Sequence, residues 1–252
     1  MPQAPDTALD AVEGVVFDTD GVIVDSTGLH AQAWKEAFDP CLAEAGQQPF
    51  DADGEYLRWV DGKPRLDGAA DLLAARGVRL PAGGPSDRPG TRTVHAVAAR
   101  KEAAFRHRLD ADPVPVFRGF LRLVQVLGRR GTVLAAVSSS RHAPELLVHA
   151  GVREVFAAVV AGDDAARLAL AGKPAPDLFL EAGRRLGVPP ERCAVVEDAL
   201  AGVQAGRSGG FRPVIGVDHG RRPGHAAGLR AHGADLVVTD LAELAPRAEG
   251  ER

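Results

Sequence analysis

Acidic, hydroxyl and amino side chains that directly follow apolar runs mark the places where this chain could do chemistry. Val15-Val16-Phe17 leads straight into Asp18-Thr19-Asp20-Gly21, two carboxylates at i, i+2 followed by a glycine. A carboxylate at the end of a buried strand can hold Mg²⁺, attack phosphorus as a nucleophile, or move a proton, and two can divide those tasks. The same Asp-x-Asp-Gly pattern also occurs in turns and calcium loops, so its meaning depends on partners elsewhere. Three segments offer them. Ser138-Ser139-Ser140-Arg141 follows one apolar run, Glu197-Asp198 follows another, and Lys173 lies in Gly172-Lys173-Pro174-Ala175-Pro176-Asp177. The prolines there favour an extended backbone, which suits a lysine that must be aimed.

Distant segments converge only if the apolar runs share a scaffold. In an open parallel sheet the crevice lies beyond the carboxyl ends of the strands, which would gather Asp18, Asp20, Ser138, Ser140, Glu197 and Asp198. From residue 113 onward the pattern supports such a sheet. An amphipathic helix with Phe117, Phe120, Leu121, Val124 and Leu127 on one side precedes a strand at 132–137. A helix at 145–150, a strand at 157–160, a helix at 177–186 stopped by Gly187, and strands at 194–196, 213–217 and 236–238 follow. Repeated helix-then-strand units predict an α/β fold with a parallel sheet covered by helices on both faces. Residues 30–112 contain no convincing strand, but helical spacing at 29–42, 66–76 and 93–109. The expected organisation is an α/β core at 11–27 and 113–246, a helical insert at 28–112, and polar tails at 1–10 and 247–252. Gly202, Gly206, Gly209 and Gly210 follow an acidic strand end without a Gly-x-Gly turn, so they read as helix packing rather than a dinucleotide fingerprint. No GxxxxGK[S/T] loop is present, which argues against an ATP-dependent kinase.

Composition narrows the partners. With 45% apolar and 25% charged residues the chain is an ordinary globular protein, and a net charge of -4 leaves no electrostatic footprint for nucleic acid or an anionic membrane. The first ten residues lack a basic and an apolar targeting segment, and no apolar run approaches membrane length, so a cytoplasmic location is expected. Cys41 and Cys193 are too few for a disulfide framework and have no metal-like spacing. Lysine occurs only at 35, 63, 101 and 173, against 26 arginines, so each lysine is a choice of compact ammonium over planar guanidinium.

The ordered set FDTDGVIVDS, VSSS, GKPAPD and VVEDALAG resembles the four motifs of the haloacid dehalogenase superfamily, within it the β-phosphoglucomutase-like group. The similarity runs from about Gly14 to Leu244. It implies a Rossmannoid three-layer core with an inserted helical cap that closes over the site, and a Mg²⁺-dependent phosphotransferase. Asp18 is implied to be the nucleophile that forms an aspartyl-phosphate, and Asp20 the general acid and base. Mg²⁺ is implied at Asp18, the backbone carbonyl of Asp20, and Asp198, with Glu197 supporting that shell. Ser138 would donate to the phosphoryl group and Lys173 would place a positive charge between it and Asp18. Ser139, Ser140, Arg141 and His142 complete the implied phosphate loop.

The resemblance also places substrate residues in the cap. Asp61-Gly62-Lys63-Pro64-Arg65 falls where a basic substrate loop is expected, Arg65 matching the arginine that grips the distal phosphate and Lys63 standing in the same loop, and His30 and Lys101 match positions near the sugar. Three departures bear on selectivity. Arg141-His142 replaces a Lys-Asn pair, Gly68 replaces a serine, and Glu102 replaces an asparagine beside Lys101. The leading expectation is a mutase acting on β-glucose 1-phosphate through a 1,6-bisphosphate. A sugar-phosphate phosphatase is its rival within the fold, and a non-catalytic sugar-phosphate-binding domain is a remoter one. A monomer acting on a small phosphorylated sugar, without nucleic acid or membrane, is the expected context.

Overall fold

The computed structural model describes residues 7–111, 114–220 and 223–245. The chain divides into two compact units, one made of the segments before Ser26 and after Val114, the other of Ser26–Val114.

Among the described residues the sheet unit has six strands: β1 (Gly14–Asp18), β2 (Val133–Val137), β3 (Ala158–Val160), β4 (Cys193–Glu197), β5 (Val214–Val217) and β6 (Leu236–Val238). All neighbours pair in parallel, in the order β3-β2-β1-β4-β5-β6. The chain winds outward from β1 in one direction and then in the other, so the strand order reverses beside β1, the place where open α/β sheets form their crevice. Near-continuous apolar runs explain why these segments sit centrally, since every residue of β1 and β4 is buried.

Alternate strand residues serve opposite faces. Val16, Ala135, Val137 and Val195 share one core with Leu178, Phe179 and Ala182 of α7 (Asp177–Leu186) and Val203 of α8 (Leu200–Ser208). Phe17 points the other way, edge-on to Phe120 of α4 (Arg118–Arg129) at 5.4 Å and to Phe156 at 6.4 Å. Each fully buried phenylalanine contributes about 2–3 kcal/mol of transfer free energy, so both faces fix the height of β1. Gly187, at φ 70°, ends α7 as expected for a left-handed helix stop.

The described residues of this unit also form α5 (Ala143–His149), α6 (Gly162–Leu168) and α9 (His225–Ala231). The α6 segment shows no helical pattern in the sequence, because it is short and buries no residue of its own. Leu9 and Ala8, expected in a polar tail, are buried, and Asp10 pairs with Arg130 at 2.8 Å. Two apolar side chains are enough to dock the start of the sheet unit. The tail at 247–252 lies outside the described residues.

The helical unit comprises α1 (Thr27–Glu44), α2 (Arg65–Ala75) and α3 (Val94–Ala111), with a π-helical turn at Tyr56–Val60. Helical spacing on α1 places Trp34, Phe38, Cys41 and Leu42 inward, against Phe50, Tyr56, Leu72, Leu73 and Val97. Trp34 stacks on Phe38 at 4.8 Å, and Phe38 meets Phe50 at 5.1 Å. Among the described residues, this unit contains no strand, and no helix is long and apolar enough to cross a membrane.

Candidate active site

Strand register assembles the acidic groups. Asp18 pairs with Val137, the residue before Ser138, and Phe17 pairs with Val196, so the chain exits β1, β2 and β4 at one level. Asp18, Glu197 and Asp198 are all buried, and each offers an oxygen within 4.8 Å of the others. Lys173, on the loop before α7, reaches into this group. Its Nζ donates to Asp18 Oδ1 and, at 2.6 Å, to Glu197 Oε2.

Each carboxylate is oriented differently. Asp18 Oδ2 accepts the backbone N–H of Asp20 at 2.9 Å, which sets the carboxylate plane. Glu197 Oε1 accepts the N–H groups of Asp198 at 3.2 Å and Ala199 at 2.9 Å, while Oε2 takes Lys173, so its acceptor sites are largely occupied by the protein. This close seating requires Gly202, where a Cβ would collide with the Glu197 carboxylate. Asp198 lies against Gly21, whose φ of 80° and lack of a side chain let the two loops meet. Asp20 stands outside the cluster of three and accepts from Ser138 Oγ at 3.0 Å.

Burial, followed by the charge of Glu197, pushes the Asp18 carboxyl well above the usual carboxylate range, with the Lys173 ammonium opposing them. For Lys173 burial is the largest single influence and pulls its pKa down. The facing charges and hydrogen bonds of Asp18 and Glu197 outweigh it and hold the ammonium charged. Three carboxylates therefore face one ammonium, leaving an excess of negative charge when all are ionised. An all-oxygen donor set with that excess fits a hard divalent cation such as Mg²⁺.

The phosphate-loop residues expected from the sequence lie on one turn after β2. Ser138 Oγ accepts the Ser140 N–H at 3.0 Å, and Ser140 Oγ accepts the His142 N–H at 3.3 Å. The Ser139 carbonyl lies where a Cβ on Gly162 would strike it, so α6 starts directly against this turn. Arg141 is exposed and sits 3.6 Å from Asp163, whereas the buried His142 ring lies 3.3 Å from Glu145.

The helical-unit candidates form a separate group. His30 and Lys101 are buried, not solvated as helix-surface residues usually are, with Lys101 Nζ 3.0 Å from His30 Nδ1. Lys101 also lies 4.5 Å from the centre of the Phe105 ring, on which the His30 imidazole packs. Arg65 pairs with Glu102 at 3.3 Å, and Lys63 with Asp71 at 2.5 Å. Gly68 packs against Val60, where a Cβ would come within 3.2 Å of its Cγ1.

A model of haloacid dehalogenase-like hydrolases matches residues 12–210. The chain belongs to this family. A β-phosphoglucomutase of Mycobacterium bovis is 42% identical over 239 residues, covering 92% of this chain and 91% of that protein. The fructose-1-phosphate phosphatase YqaB of Escherichia coli is 33% identical, covering 80% and 94%. Among solved structures, a CbbY variant from Rhodobacter sphaeroides in complex with xylulose-(1,5)bisphosphate superposes with a TM-score of 0.68 at 27% identity, covering 92% of this chain and 96% of that one. The haloacid dehalogenase-like sheet thus carries an acidic cluster able to hold a metal, in a family whose relatives include both a mutase and a phosphatase.

Two residues at this site had no sequence signal. His219 and His225 reach backbone carbonyls of the acidic loops, yet isolated histidines after a strand form no motif.

Proposed function

We propose that this protein is a Mg²⁺-dependent phosphosugar phosphotransferase, and specifically a β-phosphoglucomutase interconverting β-glucose 1-phosphate and glucose 6-phosphate. One observation carries the chemistry. Asp18 is buried at a strand end with one oxygen held by Lys173 and the other by the Asp20 N–H, as a nucleophile aimed at a single reacting atom needs to be.

An Asp18 carboxylate oxygen attacks the phosphorus of a bound 1,6-bisphosphate, and the phosphorus–oxygen bond to the sugar breaks. Asp20 gives its proton to the departing sugar oxygen. In the second half, Asp20 takes the proton of the accepting hydroxyl as that oxygen attacks the aspartyl-phosphate, and Asp18 is released. Lys173 stabilises the negative charge on the transferring group, and Ser138 can turn its hydroxyl from Asp20 towards a phosphoryl oxygen. Asp18, Asp198 and the Asp20 carbonyl would hold Mg²⁺, with Glu197 as scaffold, and the ion would supply the charge that keeps Asp18 ionised and neutralises the phosphoryl oxygens. Ser139, Ser140, Arg141 and His142 supply the phosphate loop, while Arg65, Lys63, His30 and Lys101 bind the sugar and its second phosphate.

The mutase reading is supported by the 42% identical mycobacterial relative and by the basic Lys63 and Arg65 of the helical unit, because a bisphosphate needs a second cationic site. The second reading is a phosphatase, in which water captures the aspartyl-phosphate, and the E. coli relative favours it. Incubation with Mg²⁺, β-glucose 1-phosphate and a trace of 1,6-bisphosphate separates the two. Glucose 6-phosphate without stoichiometric free phosphate is expected, and stoichiometric free phosphate alone overturns the mutase.

A further inference from the structure

We infer that His219 and His225 are positioning residues that fix the two acidic loops relative to each other and thereby set the affinity of the site for its divalent cation. The inference rests on the metal reading of Asp18 and Asp198. His219 follows β5, and its Nε2 lies 2.8 Å from the carbonyl oxygen of Gly21. His225 is the first residue of α9, and its Nε2 lies 2.8 Å from the carbonyl oxygen of Asp198. A carbonyl can only accept, so both rings must carry their proton on Nε2 and donate it.

The carbonyls they hold belong to two residues that pack directly against each other, Gly21 and Asp198. The Asp198 carboxylate sits against the Cα of Gly21, where any side chain would collide with it. A shift of either peptide plane would therefore move the Asp198 oxygens relative to Asp18. His219 is itself braced, since its ring stacks on Phe117 at 4.4 Å and 11°. Phe117 is tied to the nucleophile loop through its N–H to the Ile23 carbonyl at 3.0 Å and through the Val24–Val116 bridge. The Asp218 N–H donates to the Val238 carbonyl at 2.8 Å, anchoring the base of the same segment in the sheet. His219 after β5 and His225 at the start of α9 thus grip both acidic loops by their backbones, without occupying a carboxylate oxygen themselves. Partners of this kind, one step removed from a metal, typically change its affinity about 10–100-fold when lost.

The test measures Mg²⁺ binding to the metal-free full chain by titration calorimetry, with no substrate present. His225→Gln keeps an N–H donor of similar reach, and His225→Met fills the space without one; His219→Gln and His219→Phe form the matching pair, the phenylalanine keeping the stack on Phe117. The Met and Phe variants are expected to bind Mg²⁺ about 10-fold more weakly or worse, and the Gln variants within about threefold of the parent. Melting in EDTA is expected to stay within a few degrees for all four. Equal Mg²⁺ affinity in donor and non-donor variants overturns the inference, and so does loss of the fold in EDTA, which would assign the histidines to stability alone. Failure of the parent chain to bind Mg²⁺ overturns the inference together with the metal reading beneath it.

Discussion

The two units hold their charged groups in different ways. In the sheet unit, Asp18 and Glu197 are buried, share one lysine, and are clamped by backbone N–H groups from their own loops. In the helical unit, Arg65 and Lys63 are held by side chains, Glu102 and Asp71, that are themselves partly exposed. Backbone donors cannot swing away, whereas a salt-bridged arginine can exchange a carboxylate for another anion at small cost. The charged groups of the sheet unit are therefore held in one fixed arrangement, and the ion pairs of Arg65 and Lys63 in the helical unit in an exchangeable one.

The largest expected effects lie on the fixed side. Asp18→Asn should lower turnover of β-glucose 1-phosphate by at least about 1,000-fold, equivalent to ~4 kcal/mol of barrier, with the melting temperature retained. Near-normal steady-state turnover would remove Asp18 as nucleophile. Lys173→Met leaves two buried carboxylates without their ammonium and should cost about 3–5 kcal/mol in urea unfolding. A loss below ~1 kcal/mol would mean that those carboxylates take up protons freely, and the contrast between the units would lose its basis.

On the adaptable side the effects should be smaller and confined to substrate binding. Arg65→Ala should reduce mutase kcat/KM about 10–100-fold while leaving hydrolysis of a small aryl phosphate nearly unchanged. Equal damage to both would take Arg65 out of the second phosphate site. Glu102→Gln frees Arg65 from its ion pair and should lower KM for the phosphosugar a few-fold with kcat little changed. An unchanged or raised KM would show that Glu102 orients Arg65 instead of competing for it.

The sheet and its acidic ends were legible because they depend on local pattern. Apolar runs ending in Asp18, Ser138 and Glu197-Asp198 identify strands whatever they pair with, and the four-motif resemblance supplied their order. What escaped depends on tertiary contact. The α6 segment buries no residue of its own and so shows no apolar stripe. Ala8 and Leu9 dock as two apolar side chains inside an otherwise polar stretch. His30 and Lys101 are 71 positions apart, and no spacing rule could show that they would meet inside a helical bundle. His219 and His225 act on carbonyls, which every residue has, so their partners leave no trace in the sequence.

A third charged group separates site electrostatics from stability within the sheet unit. Glu181 of α7 accepts from Arg184 at 2.7 and 2.8 Å and from Arg185 at 2.8 Å, and Arg185 also reaches Asp164 of α6 and the Val159 carbonyl. The hydrogen bonds from Arg184, opposed next by burial and then helped by the hydrogen bond from Arg185, hold the Glu181 carboxyl down at about 2. A depressed folded value means that the unfolded chain takes up the proton first as pH falls. Its contribution is then complete above about pH 4.5 and is lost between there and pH 2. Arg184 is largely exposed, so screening should limit the loss to about 1 kcal/mol, or about 2–4 °C in Tm. Melting curves of the parent and of Glu181→Gln between pH 6 and pH 3 should converge as pH falls. Parallel curves would place the acid sensitivity elsewhere but not at Asp18, whose raised folded value lets the native chain take up its proton first and gain stability as pH falls.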